Sequence, residues 1–341
     1  MIGKNKTASI LMDIYNEIVI DDNYSKHYPM RFGLEICVTE SGVEIRNRLA
    51  SLLYEDINVS YCWSERSTLD VIGNFIRDLG VLKKEDSYPD FDLIASQLID
   101  KFSEEYDECE ALTVVEGLLT SQSIRIGNVT FFPFDQKQSL LKRPPFDSLF
   151  EDVYPTRDCI ATAKYKTESR RSIEHLYIDT EYCLNIFRYI GTLVWADQII
   201  PRISIHGRPR SNNSYSLSID GEGQVSAIVL EEFGSMPYRL NEETSPYANF
   251  HGLDYLQSLV DKTDKTQIEH ALLVSIQWFG DATQEVQPLS SFIKYYMPLD
   301  ILLKRDEERA KDVVPNRLCR LLDPWNIKRN GQHKGNPICT I

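Results

Sequence analysis

Arg329 and His333 stand four positions apart in a short basic segment, Lys328-Arg329-Asn330-Gly331-Gln332-His333-Lys334. An imidazole titrates near neutrality and can take up or give back a proton, whereas a guanidinium keeps its charge and can hold an anion beside it. Asn330 adds an amide that can orient either group, and Lys328 and Lys334 supply two further cations. No acidic residue follows Asp323, so the local field is positive. The plain alternative is that residues 325–341 are a disordered basic tail. A further basic spot, His206-Gly207-Arg208-Pro209-Arg210, offers Arg208 and Arg210 as phosphate contacts, or is simply a basic loop between strands. Asp300 lies between Leu299 and Ile301 in an apolar helical stretch, where a carboxylate is rarely buried without a partner. A structural ion pair, a solvent-facing position and a functional role are all compatible with that placement.

The rest of the composition narrows the classes. The chain has 341 residues, 42% hydrophobic and 26% charged, enough for more than one core. Its 51 acidic and 37 basic residues leave a net charge of −14, so bulk charge repels polyanions and any nucleic-acid contact must come from a local basic patch. Seven cysteines are scattered without a CxxC pair or a His at ligand spacing, which argues against a zinc site and for reduced thiols; no metal or cofactor is expected. His27, His175, His251 and His270 are isolated from one another and read as surface or satisfied core histidines. The apolar run after Thr7 is too short for a signal peptide, and no run reaches the length of a membrane span, so a cytoplasmic location without membrane contact is expected.

The elements that must position these residues follow from spacing. Helices are expected over 7–20, over 41–54 with Ser41 as N-cap and Glu44 closing a capping box, over 67–79 with Gly80 as its end, and over 90–102. Pro89-Asp90 has no Glu-x-Lys to complete a metal-nuclease signature, so Asp90 is read as the N-cap of the last of these. Residues 110–119 suggest one more short helix, and 32–38 is open between strand and helix. From Ser123 the pattern alternates about Gly127-Asn128, a tight-hairpin signal. Strands are expected at 159–165, 202–206, 214–219 and 225–230, and a long helix at 170–195. Amphipathic helices return from Ala248, at 268–284, from Pro288 through Leu303 with Pro298 inside, and at 314–322. The expected fold class is α+β, mainly α. A helical N-terminal region occupies 1–120, a central α+β domain 121–247, and a helical bundle with its basic tail 248–341.

The helices His270–Phe279 and Phe292–Leu303, followed by Asn316-Arg317-Leu318-Cys319-Arg320-Leu321-Leu322, resemble the C-terminal HEPN-type bundle of ApeA-like defence proteins. The resemblance covers about the last 75 residues, with a looser similarity at 170–195. HEPN ribonucleases carry an Arg-x(4 to 6)-His motif at the start of their last helix; here three residues separate Arg329 from His333, and Gly331 and Gly335 disfavour helix. The resemblance implies antiviral defence and metal-independent endoribonuclease chemistry on RNA or tRNA. His333 would be general base or acid, Arg329 the phosphate clamp, Asn330 an orienting group, and Asp300 the carboxylate that holds Arg329 or His333. It also implies a homodimer or larger complex, and a phage-derived trigger or partner protein. A non-catalytic HEPN-like sensor or adaptor, or a structural subunit, is the other class of function the sequence admits.

Overall fold

The computed structural model describes residues 3–21, 28–32, 35–136, 159–194, 203–205, 213–219, 225–232, 238–304 and 313–318. The chain is α+β and mainly α. It divides into two compact units, one formed by Met1–Ala111 with Lys164–Leu176 and the other by Leu112–Ala163 with Tyr177–Ile341.

In the first unit, α1 (Lys4–Asn16) leads into β1 (Ile18–Ile20), which pairs antiparallel with β3 (Ile36–Val38), and β3 with β2 (Met30–Phe32). Helices α2 (Glu40–Tyr54), α3 (Ile57–Cys62), α4 (Glu65–Lys84) and α5 (Phe91–Phe102) complete it. Their apolar faces meet in one core that includes Leu11, Ile14, Leu49, Leu53, Ile72, Ile76 and Leu98. Within the stretch at 32–38 that the sequence leaves open between strand and helix, Phe32 ends β2 and Ile36–Val38 forms β3, and helix α1 stops at Asn16, before the β-branched Ile18-Val19-Ile20. Thr39, two residues before the expected cap, closes α2: its hydroxyl accepts from Gly42 N at 3.2 Å while donating to the Glu17 carboxylate. Asp90 caps α5 as expected, accepting from Leu93 N at 3.0 Å. Gly80 does not end α4. It sits buried where a Cβ would lie 2.4 Å from Ile36 Cγ2, so its lack of a side chain lets the helix pass close to β3 and run on to Lys84. Lys83, in the last turn, donates to Tyr15 O at 2.8 Å and Ile18 O at 2.7 Å and closes the end of α1.

The second unit is built on a five-stranded sheet in the order β6-β7-β8-β4-β9, from β4 (Cys109–Glu116), β6 (Ile124–Ile126), β7 (Val129–Pro133), β8 (Cys159–Tyr165) and β9 (Ser204–Ile205). The expected short helix at 110–119 is instead β4 followed by β5 (Leu118–Thr120). Thr113-Val114-Val115 are β-branched, and β4 is buried on both faces from Thr113 onward, so the stretch lacks the alternation that marks a half-exposed strand. The Gly127-Asn128 turn joins β6 to β7 with Ile126 opposite Val129 and Gly127 at φ +57°. β10 (Asn213–Ile219) and β11 (Val225–Glu232) form a separate antiparallel pair, and β12 (Tyr238–Leu240) lies parallel to β5.

The long helix α6 (Ser169–Val194) seats its C-terminal part on this unit through Phe187, edge-on to Phe131 at 5.2 Å. The expected single segment after Ala248 is two helices, α7 (Ser245–Phe250) and α8 (Leu253–Asp261), because Gly252 turns the chain at φ +97°. Then α9 (Gln267–Thr283) and α10 (Pro288–Leu303) form a helical hairpin, and a last described turn of helix, α11, spans 313–318. A capping box of Thr266 and Glu269 starts α9. Glu285 ties the hairpin loop, accepting from Lys294 Nζ at 2.8 Å and Ser290 Oγ at 3.1 Å. Tyr189, Phe279 and Tyr295 carry edge-on aromatic contacts from α6 through α9 to α10, at 5.6 and 5.3 Å.

Candidate functional site

Asp300 is the one predicted site residue within the described chain. Arg329, Asn330, His333, Lys328 and Lys334 lie outside the described residues, as do Arg208 and Arg210. Asp300 stands in the last turn of α10, its side chain 23% exposed. Its two oxygens differ. Oδ2 lies 3.8 Å from Lys304 Nζ, a loose contact one helical turn on, whereas Oδ1 is buried and accepts no hydrogen bond among the described residues. A buried carboxylate oxygen without a donor carries a desolvation cost of about 1–3 kcal/mol. Near it, Arg317 of α11 donates to the Leu303 carbonyl at 2.5 Å, which fixes α11 against the end of α10.

Asp300 also shares a face with four exposed apolar side chains of α10. Leu289, Phe292, Ile293 and Tyr296 are 73, 68, 52 and 38% exposed. Taking about 100° per residue, these four fall within an arc of roughly 100°, and Asp300 falls inside the same arc one turn beyond Tyr296. Pro298, the buried residue of α10, points to the opposite side, where its carbonyl accepts from Ser275 of α9 at 3.4 Å. The hairpin therefore covers one side of α10 and leaves the other open.

A second polar assembly, not foreseen from sequence, lies between α6 and α9. Arg188 is 2% exposed and donates to Ile203 O from Nε at 2.9 Å and Nη2 at 2.5 Å, to Asn185 Oδ1 at 2.6 Å and to Glu181 Oε2 at 3.0 Å. Asn185 passes the connection on through Nδ2 to Gln277 Oε1 at 2.9 Å and Asp281 Oδ1 at 3.3 Å, and Gln277 donates to Tyr182 O at 3.1 Å. Gly280 makes room, since a Cβ there would lie 2.6 Å from Asn185 Cα. A guanidinium so fully engaged offers no free fork to a ligand; it holds α6, α9 and the residue at 203 together. The available signal was a polar pair, Asn185 and Arg188, set three apart inside the apolar run Leu184, Ile186, Phe187, Ile190.

In the first unit a cleft of about 600 Å³ opens between α2 and α4, lined by Arg46, Tyr54, Glu55 and Glu65 among others. Arg46 donates there to the neutral Asn47 Oδ1 at 2.8 Å, and burial lowers its pKa against the pull of Asp70. Burial likewise raises the pKa of the Tyr54 phenol. Among the described residues, no three His, Cys, Asp or Glu side chains are grouped as metal ligands, and no helix is long and apolar enough to cross a membrane. Comparison with family models, with curated proteins and with solved structures finds no match to this chain.

Proposed function

We propose that this is a HEPN-like protein of antiviral defence whose C-terminal part acts as a metal-independent endoribonuclease on RNA or tRNA. The observation that carries the reading is Asp300: the carboxylate expected to hold the catalytic Arg or His has a buried Oδ1 with no donor among the described residues. Its place on α10, ahead of the Arg329/His333 segment in the chain, agrees with that role. In the reaction, His333 takes the proton from a ribose 2′-hydroxyl as its oxygen bonds to the adjacent phosphorus. Arg329 stabilises the added negative charge, and the 5′-oxygen leaves with a proton returned by an acid. The products are a 2′,3′-cyclic phosphate and a 5′-hydroxyl end, and no cofactor enters. Lys328, Lys334, Arg208 and Arg210 would meet the phosphate backbone of the substrate.

Incubating the purified chain with total RNA in EDTA, beside His333→Ala and Asp300→Asn, tests the reading. Cleavage by the natural chain is expected, abolished in the first variant and strongly reduced in the second. Equal cleavage by all three, or none with any phage-derived trigger, overturns it.

One observation favours a second reading, a non-catalytic sensor or adaptor. The exposed stripe Leu289, Phe292, Ile293, Tyr296 is the pattern by which a helix docks another protein. Under that reading Ile293→Asp abolishes function in phage-challenged cells while His333→Ala leaves it intact.

A further inference from the structure

We propose that the cleft between α2 and α4 is a docking site for an extended peptide of a partner protein, one that carries a Lys or Arg side chain and a carboxylate about four residues apart. The site lies wholly within the first unit and does not rest on the ribonuclease reading. Its shape follows from two helix faces. Arg46, Ala50 and Tyr54 stand at i, i+4 and i+8 on α2 and so share one side of it, and Glu65 and Thr68 stand about one turn apart at the start of α4. Ala50 and Thr68 are buried and short, which leaves room above them for the cleft of about 600 Å³, enough for a small ligand or a few residues of peptide.

The cleft has unlike ends. The field of Asp70 reaches Arg46, whereas that of Glu65, earlier on α4, reaches Tyr54, later on α2, so the two helices run past each other in opposite senses. At the Tyr54 end a cation is favoured. Glu55 is the C-cap of α2, where the helix already presents the negative end of its dipole, and no basic residue stands in the last turn to offset it. Glu65 adds a second carboxylate; both are exposed, and neither is ion-paired among the described residues. Arg171, whose charge also reaches Tyr54, is taken up by Glu174 at 2.7 Å. The Tyr54 ring gives an ammonium or guanidinium a face to lie against.

At the other end an anion is favoured. Among the described residues Arg46 donates only to neutral acceptors, to Asn47 Oδ1 at 2.8 Å from Nη2 and at 3.2 Å from Nε, and to Met30 Sδ at 3.4 Å from Nη1. Arg46 and Tyr54 are about 12 Å apart along the helix axis, a span that an extended chain covers in about four residues. Charge decides the class of ligand. One cation against two carboxylates leaves the lining net negative, on a chain of net charge −14, so a nucleotide phosphate is repelled as a whole. A peptide with a cation at one end and a carboxylate at the other meets both ends of the cleft.

A random heptapeptide library on beads, screened with the fluorescently labelled full chain, provides the test. The retained peptides are expected to carry a Lys or Arg and an Asp or Glu about four positions apart. In fluorescence polarisation, Arg46→Gln, and separately Glu55→Gln combined with Glu65→Gln, are expected to weaken a selected peptide by about tenfold or more. Thermal melts of the double Gln variant should not change, because both side chains are exposed. Glu44→Gln, exposed on α2 outside the cleft, is expected to bind as the natural chain does. A chain with Arg46→Glu, Glu55→Lys and Glu65→Lys reverses the two ends and is expected to retain peptides with the order of their charges reversed. No enrichment, retained peptides that lack the charge pair, or equal binding by the Arg46→Gln and double Gln variants overturns the proposal. AMP and GMP are expected not to displace the peptide; displacement by either that disappears in Arg46→Gln makes this a nucleotide site and overturns it as well.

Discussion

Replacing Arg188 by Met removes the centre of the α6–α9 polar assembly while nearly preserving its volume. Two buried acceptors then lose their donors, the Ile203 carbonyl and Asn185 Oδ1, which Arg188 meets at 2.5–2.9 and 2.6 Å. Each unmet buried acceptor costs about 1–3 kcal/mol. Glu181 is 39% exposed and can turn to water, so its lost contact at 3.0 Å adds little. The apolar Met side chain offsets part of the loss, leaving an expected destabilisation of about 3 kcal/mol. A chain of two units need not unfold in one step, so the effect is best read by native-state hydrogen exchange of amides in α6 and α9, supported by urea unfolding followed by circular dichroism. Protection in the C-terminal half of α6 should fall by about two orders of magnitude, the equivalent of that energy. Asn185→Ala should cost less in the Arg188→Met background than alone, because its main acceptor role is already gone. A loss below about 1 kcal/mol, or strict additivity, would refute the view that this guanidinium holds the helices together.

Two further outcomes follow from neighbouring contacts. Gly280→Ala directs a Cβ to within 2.5 Å of Asn185 Cβ and 2.6 Å of its Cα; backbone cannot give way cheaply, so a loss of about 1–3 kcal/mol is expected from thermal melts, with an unchanged melt as the contrary result. Lys294, then the Gln287 backbone and Ser290 hold the Glu285 carboxyl down to about 2. Its contribution is fully present above its unfolded pKa near 4.5 and is lost as pH falls from there toward 2. An acid titration of hairpin exchange should show that loss, and Glu285→Gln should flatten it.

Local chemistry was legible wherever a short signal decided the backbone. Gly127-Asn128 made a hairpin, Asp90 capped α5 and Pro288 opened α10, each through contacts within a few residues. Misreadings arose where a distant neighbour decided. Gly80 looks like a helix end until Ile36 lies against it, and 110–119 looks helical because a strand buried on both faces has no alternation to show. The cap of α2 fell to Thr39 because Glu17 engages its hydroxyl from across the unit. Of the candidate site, the position of Asp300 in an apolar helix was readable, but the inequality of its two oxygens depends on what packs around α10. Of the Arg188 assembly only the local polar pair Asn185 and Arg188 was readable, and not its partners on α9, because Asn185 and Gln277 meet across 92 residues of chain.

The most direct test of the central claim uses a short RNA and the same oligonucleotide with 2′-deoxyribose at every position, each incubated with the purified chain in EDTA. Attack by the 2′-oxygen, with His333 as base and Asp300 holding the site, predicts that only the RNA is cut, that its fragments end in a 2′,3′-cyclic phosphate, and that His333→Ala stops the reaction. Cutting of the deoxy strand, loss of activity on chelation, or full activity in His333→Ala would contradict it.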